Sequence, residues 1–159
     1  MNNYTQIIHP QIYFQKDDQN AHYPTRTHST DAGFDLYLNS YLTNQEKWIT
    51  IPPGSHIICK TGISCAIPRG YVGLISPRSG LALKQGLTVL NSPGIIDSGY
   101  RGDLGVILYN ASPEEQKLKH QDRIAQLVVI PCNTFSSNGK LPNHYPTDRG
   151  KDGFGSSGY

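Results

Sequence analysis

The chain has 159 residues, enough to bury the core of one domain and too few for a second of ordinary size. Its 14 Lys and Arg residues against 12 Asp and Glu give a formal net charge of +2, which predicts no nucleic-acid partner. No signal peptide or membrane-length apolar stretch is apparent, so we expect a cytoplasmic protein with no membrane partner. A nuclear location stays open if the source is eukaryotic or viral.

Short apolar stretches predict a β-rich chain. Residues 4–30 are polar and contain prolines, which indicates an extended arm. The first strand is predicted at Phe34, Leu36 and Leu38, which alternate with more polar residues. We predict further strands at residues 55–60, 63–67, 71–76, 87–90, 104–110 and 123–130, and one short helical turn at 78–84.

Turns rich in proline and glycine separate these strands, at residues 52–54, 68–70, 92–94 and 112–113. Many short strands with this punctuation are typical of an all-β sandwich or barrel. We therefore expect one β domain over residues 1–148, in which 133–148 form a linker. A mobile C-terminal arm at 149–159 follows it.

Two segments next to predicted strands carry charges suited to a phosphate. Asp35 lies on the strand face opposite Phe34, where it is either solvated or close to a metal-bound water. Arg78 and Ser79 open the helical turn, so an arginine, a hydroxyl and helix-start amides converge there. A surface arginine beside a plain Ser79 helix cap is the equal alternative.

Residues 94–103 predict a β-hairpin with its corner at Ser98 and Gly99. Asp97 projects from an apolar arm at the mouth of the turn, and Tyr100 lies three residues on. Main-chain groups of such a hairpin suit the edge of a flat base. An ordinary turn capped by Asp97 is the alternative, and it is favoured when this segment is taken alone.

Residues 122–127 form part of the last predicted strand. Regular alternation places Asp122 and Gln126 on one face with Ile124 between them. Gln126 is then a ligand for water or phosphate, or the segment holds only a structural contact between Asp122 and Arg123.

The chain ends in a glycine-rich run at residues 149–158, with four glycines and no apolar pattern. Such a segment is mobile until something orders it. Arg149, Ser156 and Ser157 suit anionic oxygens, and Phe154 suits a flat ring. We interpret the run as a lid over a phosphorylated ligand, with a disordered tail as the alternative.

Several chemistries are excluded by spacing. The six histidines show no paired metal-ligand pattern, and no zinc-deaminase motif or nucleophile elbow occurs. The cysteines Cys59, Cys65 and Cys132 lie beside apolar residues and are expected to be reduced core thiols. The remaining carboxylates, arginines, hydroxyls and glycines suit phosphate chemistry, with Mg²⁺ carried in on the substrate.

Taken in order, residues 32–36, 77–81, 94–102, 122–127 and 149–158 closely resemble the five motifs of the trimeric deoxyuridine triphosphatases (dUTPases). The resemblance implies a jelly-roll-like fold, a homotrimer with sites between subunits, and Mg²⁺-dependent hydrolysis of dUTP to dUMP and pyrophosphate. This reaction limits uracil in DNA and supplies dUMP for thymidylate synthesis. A dCTP deaminase-like enzyme and a non-catalytic nucleotide-dependent binder are the alternatives; residues 91–103 lack the glutamate of the former.

The resemblance also implies roles for individual residues. Asp97 activates the attacking water, Gln126 lies near it, and Asp35 contacts waters on the Mg²⁺. Tyr100 lies beneath the deoxyribose. The remaining substrate-binding residues are Arg78, Ser79 and Gly80 for the α and β phosphates, Asn91, Gly94 and Ile96 for uracil, and Arg149, Phe154, Gly155, Ser156 and Ser157 in the lid.

The chain departs from the motifs in three places. Gln121 replaces the usual glycine before the Asp-Arg pair, and Ser157 replaces a threonine. Asp152 also replaces a glycine, and we expect its carboxylate to face solvent, away from the triphosphate.

Overall fold

The computed structural model describes residues 10–43 and 46–137, and in this part of the chain strands dominate. The fold is all-β and jelly-roll-like, which confirms the predicted class. The elements in chain order are β1 Tyr13–Lys16, β2 Gly33–Tyr37, α1 Ser40–Thr43, β3 Trp48–Ile51, β4 His56–Cys59, β5 Ile63–Ala66, β6 Tyr71–Ser76, α2 Ser79–Gln85, β7 Leu87–Val89, β8 Gly94–Ile96, β9 Val106–Asn110, β10 Gln116–Lys119 and β11 Arg123–Pro131.

The described strands form four antiparallel sheets. The largest has the order β2-β11-β6-β8, and a three-stranded sheet has the order β4-β9-β7. The pairs β1-β5 and β10-β3 complete the set. Strand β11 lies at the centre of the largest sheet, with Gln126 opposite Asp35 on one side and Ser76 on the other.

The core is built from the strand residues that face inward, which in several strands are every second residue. In β9, Val106, Leu108 and Asn110 are buried while the residues between them are only partly so. Leu36, Leu108 and Leu127 are fully buried in one cluster. Burying a leucine side chain contributes roughly 1.5–3 kcal/mol, so these contacts fix the sheets that position the loops.

Three strands and one helix lie where the sequence predicted none. Strand β1 falls within the expected arm and pairs with β5. Strand β10 lies in a polar segment that buries only Leu118, and it pairs with β3. Strand β3 does alternate, with Ile49 and Ile51 buried. Helix α1 makes a single turn with only Ser40 buried.

Two of the three cysteines are core thiols as predicted. Cys59 and Cys65 are buried, and burial raises the pKa of Cys59 to about 12 and also raises the pKa of Cys65. The prediction was wrong for Cys132, a free thiol that is exposed just after β11 ends. Among the described residues, no helix is long and apolar enough to cross a membrane.

Candidate functional site

A polar cavity of about 390 Å³ opens beside strand β2. Its walls come from the loop before β2, the start of α2 and the middle of β11. Five residues predicted for the site lie together here, although they are far apart in sequence. The lining residues are Thr27, Asp31, Ala32, Gly33, Asp35, Arg78, Ser79, Gly80, Gln126 and Val128.

The carboxylate of Asp35 is held by two guanidinium groups. Arg78 Nε donates to Oδ1 at 2.7 Å, and Arg123 Nη1 donates to Oδ2 at 3.1 Å. The side chain of Asp35 is only 15% exposed, so both contacts lie partly out of water. Asp31 also lines the cavity, so its carboxylate and that of Asp35 balance the charges of Arg78 and Arg123.

A β-bulge in β11 brings Arg123 to this cluster. The pairing with β2 shifts between Arg123 and Ala125, so Ile124 and Ala125 both lie in the core at 0% exposure. Arg123 therefore shares the outer face with Gln126, three residues away. The prediction that Asp122 and Gln126 flank an Ile124 on one face was wrong, because the extra residue changes the alternation.

Asp122 has a structural role outside the cavity. Its Oδ2 accepts a hydrogen bond from the backbone amide of Lys119 at 2.8 Å, which closes the turn between β10 and β11. The alternative of a structural contact between Asp122 and Arg123 finds no ion pair among the described residues, where Arg123 pairs with Asp35. Gln121, at the same turn, adopts a positive φ of 67°, the conformation that glycine adopts most easily.

The side-chain amide of Gln126 packs over residue 33 of the neighbouring strand β2, which is possible because this residue is a glycine. Gln126 Nε2 donates to the carbonyl oxygen of Pro77 at 2.9 Å. A Cβ placed on Gly33 would lie 2.5 Å from Gln126 Oε1, closer than real contacts allow. Gly33 therefore leaves room for the amide against β2.

Helix α2 begins at the mouth of the cavity. Arg78 is its N-cap, with an extended backbone and no side-chain capping bond. Ser79 is the first helical residue, so the alternative that it caps the helix was wrong. Both Ser79 and Gly80 are exposed, and a Cβ on Gly80 would meet nothing within 4 Å. This space is open to a ligand.

The segment that carries Asp97 lies on the other edge of the sheet. Strand β8 pairs with β6, with Ile96 opposite Gly73. The backbone then turns, and the amide of Tyr100 donates to the carbonyl of Asp97 at 3.0 Å. The predicted hairpin was wrong in its second arm, because residues 100–103 form no strand. Asp97 is exposed at this turn.

Tyr100 is fixed against the loop that follows it. Its hydroxyl donates to the carbonyl of Asp103 at 2.9 Å, and a Cβ on Gly102 would lie 2.5 Å from the same hydroxyl. Asp103 in turn accepts from the amide of Gly62 at 2.6 Å. The ring is still 44% exposed, so it presents a rigid aromatic surface to its surroundings.

The other predicted residues of this edge precede Asp97. Asn91 is exposed in the turn between β7 and β8, whereas Gly94 is buried and Ile96 packs against the core. Among the described strands β8 pairs only with β6, so its outer edge carries backbone groups without a strand partner. A free strand edge can bind a flat polar ligand.

Asp35 and Asp97 are far apart in one chain. Asp35 lies in one edge strand of the β2-β11-β6-β8 sheet and Asp97 directly follows the other, and continuing the register offsets them by four residues along the strands. Three strand spacings and four residues amount to roughly 14 Å in each direction, or about 20 Å in total. The chain thus carries two separate groups of predicted residues. The lid residues Arg149, Phe154, Gly155, Ser156 and Ser157 and the substituted Asp152 lie outside the described part.

A sequence model of dUTPase matches residues 19–158, which is most of the chain. This protein belongs to the dUTPase family. The enzyme of Corynebacterium jeikeium named deoxyuridine 5'-triphosphate nucleotidohydrolase is 46% identical over 145 residues, covering 89% of this chain and 88% of the relative. The Clostridium novyi enzyme of that name is 40% identical over 147 residues, covering 92% and 98%.

Solved dUTPase structures share the fold. A mutant dUTPase of Staphylococcus bacteriophage 80alpha, solved with dUpNHpp, superposes with a TM-score of 0.80 at 28% identity, covering 94% of this chain and 99% of that one. A mutant dUTPase from phage phi11 of S. aureus, described with a coordinated structural Mg(II) ion, gives a TM-score of 0.71 at 26% identity, covering 86% and 99%.

The sequence interpretation missed the contact between Arg123 and Asp35. Consecutive apolar residues could not have marked the bulge at Ile124 and Ala125, because residues 127–130 of the same strand are also all apolar and pair with β6 in regular register.

Proposed function

We propose that this dUTPase-family protein hydrolyses dUTP to dUMP and pyrophosphate through attack of water on the α-phosphorus. One observation carries the proposal: a chain of this family brings Asp35, Arg78 and Gln126 together around one polar cavity. The relatives described above are named for the same activity. The product dUMP then serves thymidylate synthesis, and removal of dUTP limits uracil in DNA.

The phosphates bind at the start of helix α2. Arg78 reaches the cavity and can form charge-assisted hydrogen bonds to phosphate oxygens, the strongest class of hydrogen bond in proteins. The backbone and hydroxyl of Ser79 and the backbone of Gly80 bind the α and β phosphates in the open space beside them. These groups neutralise charge as the leaving pyrophosphate departs.

Asp35 would contact Mg²⁺ through water, with the triphosphate of the substrate as its main ligand. Among residues 10–43 and 46–137, no group of three or more His, Cys, Asp or Glu side chains is arranged to hold a metal. Asp35 uses one lone pair on each oxygen for the two arginines, and a carboxylate has about four lone-pair sites. The donor set therefore fits a hydrated Mg²⁺, which neutralises triphosphate charge when it is bound.

The water is activated by Asp97 acting as general base, with Gln126 close to the same oxygens. Asp97 is exposed at the end of β8, so water reaches its carboxylate freely. Because a phosphoanhydride has a good leaving group, positioning and charge neutralisation supply most of the rate acceleration. No covalent nucleophile is needed.

The nucleoside binds along β8 and the turn after it. The free edge of β8, with Gly94 and Ile96, offers backbone groups to uracil, and Asn91 reaches the base through water. The ring of Tyr100 lies beneath the deoxyribose and leaves no space for a 2'-hydroxyl. The bond from its hydroxyl to the carbonyl of Asp103 fixes the side chain and supports this selective role.

The complete site forms between subunits of a homotrimer. About 20 Å separates Asp35 from Asp97 within one chain, too far for both to act on one triphosphate. An apolar row on the outer face of the β4-β9-β7 sheet supports association: Ile58 and Leu90 are 51% and 50% exposed on either side of Ile107. Exposed apolar rows of this kind favour burial against another copy.

The lid completes the substrate site. Arg149, Ser156 and Ser157 bind the γ end of the triphosphate, the backbone of Gly155 approaches it, and Phe154 stacks on uracil. Aromatic stacking on a base contributes roughly 1–3 kcal/mol, enough to make closure depend on the ligand. Removing residues 149–159 should abolish most activity without changing the melting temperature, and full activity of the truncated protein would exclude the lid from the mechanism.

The deciding experiment measures pyrophosphate release with Mg²⁺ from dUTP, dCTP, dTTP and UTP. We expect turnover of dUTP alone at substantial rate. Ammonia release from dCTP would instead indicate the deaminase, and tight dUTP binding without turnover would indicate a non-catalytic binder. Tyr100→Ala should raise turnover of UTP relative to dUTP, and unchanged selectivity would exclude Tyr100 as the sugar-discriminating residue.

A further inference from the structure

Arg78 and Arg123 hold the same carboxylate but face different surroundings. Arg78 lines the cavity, and its Nε bonds Asp35 Oδ1. Arg123 bonds Oδ2 and is not among the described residues that line the cavity. A ligand in the cavity therefore competes with Asp35 for Arg78 and leaves the contact with Arg123 in place.

Phosphate oxygens are strong competitors for Arg78. They offer the same charge-assisted geometry as a carboxylate and carry more charge. Once Arg78 turns to the phosphates, Asp35 Oδ1 loses its 2.7 Å contact and becomes available to the waters around Mg²⁺. Arg123 still fixes Oδ2, so the carboxylate keeps its direction and a compensating charge.

The backbone is shaped for this contact. Without the bulge at Ile124 and Ala125, regular alternation would turn Arg123 toward the core. A bulge interrupts the β11 ladder, and such irregularities commonly re-aim a side chain at a functional site. The side chain of Arg123 is 46% exposed, so its guanidinium can move together with the carboxylate of Asp35.

We infer that Arg123 is a positioning residue: it holds Asp35 for hydrated Mg²⁺ while Arg78 exchanges its bond to Asp35 for bonds to the triphosphate. The inference rests on the proposed function and adds to it. The ion pair between Arg78 and Asp35 then belongs to the ligand-free protein alone. The pair between Arg123 and Asp35 is present both in the ligand-free and in the triphosphate-bound protein.

The test compares binding of dUpNHpp to the full-length protein with and without Mg²⁺, by calorimetry. In the wild type, Mg²⁺ should tighten binding. In Arg123→Ala, we expect this Mg²⁺-dependent gain to fall about tenfold, within the usual range of coupling between two sites. Affinity without Mg²⁺ should change much less. Lys117→Ala is the matched control, since the ion pair of Lys117 with Glu115 is exposed and the variant should behave as the wild type.

Two further comparisons separate positioning from a structural role. Arg123→Lys, which keeps the charge, should recover part of the gain. In an Asp35→Ala background, Arg123→Ala should have no further effect, because Arg123 acts through Asp35. If Arg123→Ala does not fold, Arg123→Gln replaces it, and the same loss of the Mg²⁺-dependent gain is expected.

The outcomes are distinguishable. An unchanged Mg²⁺-dependent gain in the Arg123 variant, additive effects of the two substitutions, or an equal loss of affinity with and without Mg²⁺ would overturn the positioning role. These results leave dUTP hydrolysis by the wild type intact. A wild type that neither hydrolyses dUTP nor binds dUpNHpp would overturn the proposed function itself, and the inference with it.

Discussion

The two edges of the central sheet are built differently. At the β2 edge, Asp35, Arg78 and Arg123 bind one another around a cavity that exists within a single chain. At the β8 edge, Asp97 stands exposed on a turn beside a free strand edge. One edge has a preformed polar cavity, whereas the other presents its polar groups outward. This difference supports the proposal that each edge completes a site with the opposite edge of another copy.

The largest effect is expected at the outward edge. Asp97→Asn keeps the shape of the turn but removes the proton acceptor, so kcat for dUTP should fall by roughly 10²–10⁴-fold. Binding of dUpNHpp should stay close to that of the wild type, since the phosphate cavity is untouched. Pyrophosphate release and calorimetry measure the two quantities, and an unchanged kcat would show that Asp97 is not the base.

A smaller effect is expected at the cavity edge. Gly33→Ala places a methyl group 2.5 Å from the position of Gln126 Oε1, so the amide must move away from β2. Misplacing a catalytic group by about 1 Å costs up to ~10²-fold, and we expect kcat to fall roughly 10- to 100-fold. In a Gln126→Ala background the same substitution should have little further effect. A similar fall in kcat in both backgrounds would show that Gly33→Ala acts by distorting β2 and not by moving Gln126.

The smallest effect is expected at the turn between β10 and β11. Burial lowers the pKa of His120 below its ordinary value, and the carboxylate of Asp18 partly opposes this. The unfolded chain therefore binds the proton more readily, so stability is lost as the pH falls through the ordinary histidine range toward the folded pKa. The melting temperature should fall between about pH 7.5 and pH 5.5 and fall less in His120→Phe. Parallel curves for the two proteins would contradict this assignment.

Local patterns predicted β2 and β6 well and missed β1, β3 and β10. Strand β6 lies where predicted, and the alternation of Leu36 with its neighbours correctly marked β2. Strands β1 and β10 carry few buried side chains, so their pairing partners, rather than their own sequence, define them. An apolar pattern reports burial and is silent on hydrogen bonding at a sheet edge.

The candidate site was predicted residue by residue, but its geometry was not. The resemblance to the family identified Asp35, Arg78 and Gln126, and the structure brings them around one cavity. The bond from Arg123 to Asp35 depends on a one-residue bulge, and a periodic interpretation assigns the wrong face to every residue on one side of such a bulge. The hairpin prediction failed because β8 pairs with β6, which comes from an earlier part of the chain, and residues 100–103 form no strand.

Mixing two inactive variants tests most directly whether one site is shared between subunits. Asp97→Asn and Arg78→Ala each disable one edge, and each variant alone should be nearly inactive. If a site combines the β2 edge of one copy with the β8 edge of another, refolding the two variants together at equal concentration should restore about a quarter of wild-type activity, because random assembly pairs two intact edges at that frequency. A mixture that stays as inactive as its components would contradict the shared site.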